Sequence, residues 1–240
     1  MTSYLKLPLD LTKRHFIVGD VHGMFGAFRR LLSMINYNPE TDIIYSVGDL
    51  IDRGPDSYAL VEFFNQDNTY AINGNHEMMA IYSDMTPLWL QNGGIQTLDS
   101  IRNENLTLDW LRTQLRKRPW AIDVGDAGTE KAFRIVHAEI PAEWNEDTFQ
   151  DAMLCCDDPR NFHFYSLMWG RDVLTKYKET GFAPTFNPNR SGRNVFVGHS
   201  SVRQVITIGD MTYLDTTIYK SITMINALTM EVYSQPYGLP

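Results

Sequence analysis

His15-Phe16-Ile17-Val18-Gly19-Asp20-Val21-His22-Gly23 decides the fold: an apolar, β-branched run delivers an Asp and a His straight into a glycine-bounded turn. The same pattern returns twice. Residues 42–47 lead into Gly48-Asp49-Leu50-Ile51-Asp52-Arg53-Gly54, and residues 69–73 lead into Gly74-Asn75-His76-Glu77. Short apolar runs bounded by glycine read as buried strands, and the ends of such strands are where open α/β sheets build ligand sites. Asp20 and Asp49 are 29 residues apart and Asp49 and Asn75 are 26 apart, close to the length of a βαβ unit. The three loops are therefore expected to converge on one sheet edge.

The segments between and after them fit a layered α/β fold. Phe25, Phe28, Leu31, Leu32 and Ile35 recur at helical spacing, which predicts a helix over 25–36. A second helix is expected after Pro55, capped by Asp56 or Ser57, with Leu60, Val61 and Phe64 inward. Residues 78–118 read as mostly helical, with Met78, Met79, Leu108, Leu111 and Leu115 in the core. Beyond Phe133 strands dominate, at 133–136, 194–197, 205–208, 213–214 and 222–225, interrupted by a helix over 164–177. Strands alternating with helices, followed by consecutive strands, predict mixed sheets flanked by helices.

The 240 residues are 43% hydrophobic and 12% aromatic, enough for a substantial core. No linker, repeat or low-complexity tract divides them, so one domain over 1–240 is expected. The N-terminal Met-Thr-Ser-Tyr-Leu-Lys-Leu-Pro lacks the apolar run of a signal peptide, and no stretch reaches membrane-spanning length. Cys155 and Cys156 are adjacent and too few for a disulfide framework. A soluble, cytoplasmic protein is the expectation. Net charge is −8, and the basic residues are scattered except over 112–118, read as the solvated face of a helix. Neither nucleic acid nor membrane is an expected partner on that balance, and no required subunit is evident.

Four of the six histidines, His22, His76, His137 and His199, follow strand-like runs, while His15 and His163 lack such company and read as structural. Asp, Asn and His together suit divalent ions such as manganese, iron or zinc. A pair of ions needs a bridging ligand, and Asp49, central in the motif order, is the candidate. Two such ions facing Asp20, Asp49 and a bridging hydroxide keep a net positive charge, which favours a phosphate dianion. An ion pair about 3.5–4 Å apart acidifies the bridging water and holds phosphoryl oxygens. Arg53, inside the second motif, is placed to grip phosphate in a bidentate fashion.

The three motifs, with His137-Ala138 and Gly198-His199-Ser200, resemble the phosphoprotein phosphatase family of metallophosphoesterases, closest to its compact phage lambda-type branch of serine/threonine phosphatases. Asn92-Gly93-Gly94, Met168-Trp169-Gly170-Arg171 and Leu214-Asp215-Thr216 resemble further landmarks, so the likeness spans most of residues 15–217. It implies a sandwich of two mixed β-sheets flanked by α-helices, built around two divalent metal ions. It implies Asp20, His22 and Asp49 on the first ion and Asp49, Asn75, His137 and His199 on the second. His76 would protonate the leaving alkoxide, steered by Asp52, while Arg53, Arg171 and Asn75 bind the phosphate. The implied reaction is direct in-line hydrolysis of phosphoserine and phosphothreonine, with tolerance for phosphotyrosine, in a phosphoprotein or phosphopeptide, with no phosphoenzyme.

The alternative within this resemblance is a symmetrical dinucleoside tetraphosphate hydrolase. That group commonly lacks the Asp of Asp52-Arg53-Gly54 and ends the third motif in Asp, so Asp52 and Glu77 favour the protein phosphatase. Nuclease-like relatives carry a ligating His where Ser201 stands here. Two departures from the family pattern are Asn73, where an Arg is common, and Thr217, where a Gly is usual. Residues 145–161 and 179–193 read as the loops that rim the site.

Overall fold

The computed structural model describes residues 4–156, 158 and 160–238. Strands β1 (Tyr4–Leu7), β2 (Arg14–Val18), β3 (Asp42–Ser46) and β4 (Thr69–Ala71) come first, with α1 (Phe25–Met34) and α2 (Ser57–Phe63) between the last three. A helical stretch follows: α3 (Asn75–Ile81), α4 (Thr86–Trp89), a π-helical turn over Leu90–Gly94, α5 (Ile95–Asn103) and α6 (Leu108–Leu115). Strands β5 (Ala121–Val124) and β6 (Phe133–Val136) then lead to α7 (Glu146–Leu154), α8 (Phe162–Trp169) and α9 (Asp172–Thr180). The chain ends in β7 (Asn194–Val197), β8 (Ile206–Ile208), β9 (Met211–Tyr213), β10 (Ser221–Asn226) and β11 (Val232–Pro236).

These strands form two mixed sheets. The five-stranded sheet runs β11-β10-β2-β3-β4, with β2, β3 and β4 parallel and β10 antiparallel to β2. The six-stranded sheet runs β1-β5-β6-β7-β9-β8, with β6, β7 and β9 parallel. Alternation along each strand sorts the core into layers. Ile17, Tyr45 and Ile225 of one sheet meet Ile122, Phe133, Ile135 and Phe196 of the other in a dry inter-sheet core. Their neighbours Phe16, Val18 and Ile44 turn outward to join Phe28, Leu31, Leu60 and Val61 of α1 and α2. Burial on both faces explains why these strands read as continuous apolar runs. Truncating Phe133 to Ala in such a core costs about 3–5 kcal/mol.

The sandwich of two mixed sheets is the one expected, and several elements differ in detail. The helix expected over 164–177 is two, because Gly170 takes an extended conformation between α8 and α9. The rim expected over 145–161 contains α7, capped by the Asn145 side chain on Thr148 N, while Asp157 and Pro159 lie outside the described residues. That cap, with Glu146 drawn 2.8 Å from the buried Arg134 guanidinium, makes the polar segment helical and ties it to the sheet. Asp56 holds the N-cap position of α2 without a side-chain cap bond, and Ser57 Oγ instead accepts from Asp52 N at 3.2 Å. Over 112–118 the expected solvated face fails at Arg118, which is buried and donates to Val61 O. His15 is indeed a core residue, stacked on Tyr45, and His163 packs against Trp144.

Candidate metal centre

Six parallel strand ends meet at one side of the sandwich. Asp20, Asp49 and Asn75 follow β2, β3 and β4 of one sheet, while His137, His199 and Asp215 follow β6, β7 and β9 of the other. A cleft of about 520 Å³ opens there, lined by Asp20, His22, Asp49, Asn75, His76 and His199 with both Arg53 and Arg171. His137 sits behind it, fully buried, its Nε2 2.8 Å from Asn75 Oδ1 and 3.4 Å from Asp49 Oδ1. All ten residues singled out from the sequence, His76 and Asp52 included, are thus brought together.

The backbone is bent to achieve this. His22, Asp49, Asp52, Arg53 and His199 all have left-handed φ, between 46° and 76°, at a cost of order 1–3 kcal/mol each. Glycines make the approach possible. A Cβ on Gly74 would come 2.3 Å from Asp49 Oδ1, and one on Gly198 would come 2.1 Å from Asp20 Oδ1.

The donor atoms fit a divalent cation. His137 Nδ1 donates to Val47 O at 2.8 Å and His22 Nδ1 donates to Ile51 O at 3.0 Å. In the neutral form of either ring, Nε2 is then the nitrogen that carries the lone pair. His137 Nε2 faces the oxygens of Asn75 and Asp49, acceptor against acceptor, and His22 Nε2 lies 3.6 Å from Asp49 Oδ2. Lone pairs converging without a proton between them are what a metal ion resolves. Asn75 Oδ1 also lies 3.0 Å from His199 Nδ1. Ligand atoms of His22, Asp49 and His76 all lie within 4.8 Å of one another.

Electrostatics agrees. Burial and the nearby Asp215 and Asp49 push the Asp20 carboxyl well above its ordinary range. Burial also acts on Asp49, but His137, His76 and His22 outweigh it and hold that carboxyl low. Desolvation presses His22 and His199 down to about 3, which keeps both rings neutral and able to ligate. His76 goes the other way: burial opposes its charge, yet Asp49 and the bond to Asp52 raise its pKa. His76 Nδ1 meets Asp52 Oδ2 at 2.6 Å, and its Nε2 lies 3.1 Å from Arg53 Nη2. Arg53 Nη1 is 2.8 Å from His22 Nε2, and Arg171 Nε is 3.1 Å from His199 Nε2.

Two buried carboxylates hold this assembly in roles that the sequence did not disclose, although Glu77 stood out as a motif letter. Glu77 accepts from the backbone N–H groups of Asp49, Leu50, Ile51 and Gly74. Its position three residues after Gly74, as in a capping box, was the available signal. Glu139 accepts from Val173 N, Leu174 N and Tyr213 OH, and so seats the first turn of α9 next to Arg171. Nothing local marks it. Thr217 replaces the usual glycine without difficulty, its N and Oγ1 both donating to Asp215 Oδ1.

A family model for calcineurin-like phosphoesterases matches residues 14–214. The chain belongs to that family. It is a metallophosphoesterase hydrolase, and its His/Asp cluster fits the divalent ions the family uses. It is 30% identical to serine/threonine-protein phosphatase 1 of Salmonella typhimurium over 217 residues, 89% of this chain and 90% of that one. A symmetrical bis(5'-nucleosyl)-tetraphosphatase of Shewanella baltica is also 30% identical, over 59% of this chain and 51% of its own. Among solved structures, a protein serine/threonine phosphatase from Saccharomyces cerevisiae shares the fold with a TM-score of 0.66 at 14% identity, covering 100% of this chain and 85% of that one. No helix among the described residues is long and apolar enough to cross a membrane.

Proposed function

We propose that this chain hydrolyses phosphoserine and phosphothreonine monoesters in proteins. Asp20, His22 and Asp49 hold one divalent ion, and Asp49, Asn75, His137 and His199 hold a second. When bound, the ions supply Lewis acidity to the phosphoryl group and lower the pKa of a water. Arg53 and Arg171 bind the phosphoryl oxygens through charge-assisted hydrogen bonds, with the Asn75 side chain beside them. The buried Asp52 carboxylate orients His76, whose Nε2–H passes its proton to the departing oxygen.

The His76–Asp52 contact of 2.6 Å carries this reading. A serine or threonine alkoxide is a poor leaving group and needs a proton as the P–O bond breaks. A nucleoside diphosphate leaves readily as an anion and does not. An oriented acid in the cleft is therefore matched to an alkyl phosphate. Sequence similarity to the Salmonella phosphatase along nearly the whole of both chains supports the same reading, whereas the sequence match to the Shewanella tetraphosphatase covers 59% of this chain and 51% of its own.

Phosphoserine and phosphothreonine peptides assayed beside diadenosine tetraphosphate, after chelation and re-addition of manganese, iron or zinc singly, test the proposal. Metal-restored turnover is expected to favour the peptides. Faster cleavage of the dinucleotide would overturn it.

A further inference from the structure

Asn92-Gly93-Gly94, whose Asn92 lines the cleft, joins two side chains that close on the same carboxylate. Asp52 Oδ1 accepts from Thr97 Oγ1 at 2.7 Å and from Trp89 Nε1 at 2.9 Å. Thr97 Oγ1 accepts in turn from Asp52 N at 2.8 Å, so one hydroxyl clamps both the backbone and the carboxylate. Trp89, Thr97 and Asp52 are all fully buried. With the His76 bond on Oδ2, the carboxylate has no freedom to rotate without breaking a hydrogen bond.

The helix is interrupted to make this possible. On a continuous α-helix residues 89 and 97 would project about 80° apart. Here Leu90–Gly94 is a π-helical turn broken at Gly93, where φ is 108°, and both side chains reach Asp52. A Cβ on Gly94 would come 2.6 Å from Trp89 Cε2, so only glycine lets the indole fold back over the next turn. Gly93 O accepts from Arg53 N at 3.2 Å, and a Cβ on Gly93 would come 2.8 Å from that nitrogen. The same turn thus braces two consecutive residues of left-handed φ, Asp52 and Arg53. Such π turns recur at functional sites.

We propose that Trp89 and Thr97 are positioning residues that act through Asp52, holding the His76 ring so that Nε2 faces the departing oxygen. This rests on the acid role given to His76 above. Neither side chain reaches the substrate, and neither sits on a metal ligand. Their loss lets Asp52 swing and the His76 ring tilt, which matters only where the leaving group needs its proton.

The test compares a phosphoserine peptide with nitrophenyl phosphate, whose leaving group departs without a proton, in the metal-loaded enzyme. Trp89→Phe removes the indole donor, and Thr97→Val removes both the hydroxyl donor to the carboxylate and the acceptor of Asp52 N. Each is expected to slow the peptide roughly ten- to hundredfold, as expected for a lost hydrogen bond to a charged group. Nitrophenyl phosphate turnover and metal content by elemental analysis should stay within about threefold and unchanged, respectively. Thr97→Ser keeps the hydroxyl and should restore the peptide rate, which a purely structural role for the position would not predict. Thr97→Val is near-isosteric and carries the test if the indole variant folds poorly. Equal losses on both substrates would overturn the inference. His76→Asn separates the two levels: if it also fails to discriminate, the acid reading falls. If it discriminates while Trp89→Phe and Thr97→Val match the parent, only the positioning inference falls.

Discussion

Glu77 binds four backbone N–H groups with one side chain, three from the loop that carries Asp49 and one from Gly74. Burial and the neighbouring Asp49 push its carboxyl upward, so these donors are its compensation. Glu77→Gln keeps the shape but turns one acceptor into a donor facing N–H groups. The expected result is a loss of about 3 kcal/mol in denaturant titrations of the metal-free protein, from unpaired buried donors. Metal affinity should fall with it, since Asp49 loses its anchor. At this scale the residues that converge on the cleft were legible, because Asp, His and Asn after strand ends stand out by type and position. Glu77 was legible as a letter of a motif and silent in role. Glu139 and Trp89 were silent altogether, because what they bind is 30 or more residues away in the chain and only folding brings it near.

Strands were easier to read than helices in this chain. A strand buried on both faces writes itself as an unbroken apolar run, as in Phe16-Ile17-Val18 and Val195-Phe196-Val197. The edge strands β1 and β11 do not: β11 exposes alternate residues and β1 is only partly covered, so neither offered a run to find. The break between α8 and α9 was hidden because Gly170 interrupts an otherwise helical pattern without a proline. That break matters, since Arg171 is the N-cap of α9 and points toward His199. Close element packing also fixes Gly198, at the turn after β7. Gly198→Ala would drive a methyl group into Asp20, whose oxygens accept from His199 N at 3.2 Å. The side chain must yield, because the methyl also meets Val47. Turnover is expected to fall at least a hundredfold together with loss of bound metal, while circular dichroism keeps the parental α/β signature. Retention of both ions would contradict the packing argument.

Among the described residues, the imidazole of His15 packs into the inter-sheet core against Tyr45 and Phe133, its Nε2 donating to Asp10 O at 2.8 Å and its Nδ1 3.1 Å from Tyr45 OH. Burial lowers its pKa below the usual 6.5. The folded state keeps the ring neutral while the unfolded chain takes a proton below that value. Its contribution to stability is therefore present above about pH 6.5 and lost as pH falls toward the folded pKa. In chelator, melting temperature should drop more steeply between pH 7.5 and 5.5 for the parent than for His15→Gln. Parallel slopes would remove His15 from the acid limb.

A division of labour between the sheets governs the whole molecule. Asp20, His22, Asp49 and Asn75 come from the five-stranded sheet, and His137 and His199 from the six-stranded one. A metal pair held by both sets, as proposed above, would be a staple across the sandwich, present only when the two sheets are docked. Binding that needs the folded state adds RT ln(1 + [L]/Kd), about 2.7 kcal/mol at one hundred times Kd. For a chain of this length each kcal/mol moves the melting temperature by about 2–4 °C. Saturating manganese should therefore raise the midpoint of the chelated protein by roughly 5–10 °C. His137→Ala removes the contact that the six-stranded sheet makes beneath the cleft, so most of that rise should vanish. If the variant kept the full rise, the ions would be held by the five-stranded sheet alone, and no metal staple would join the two halves.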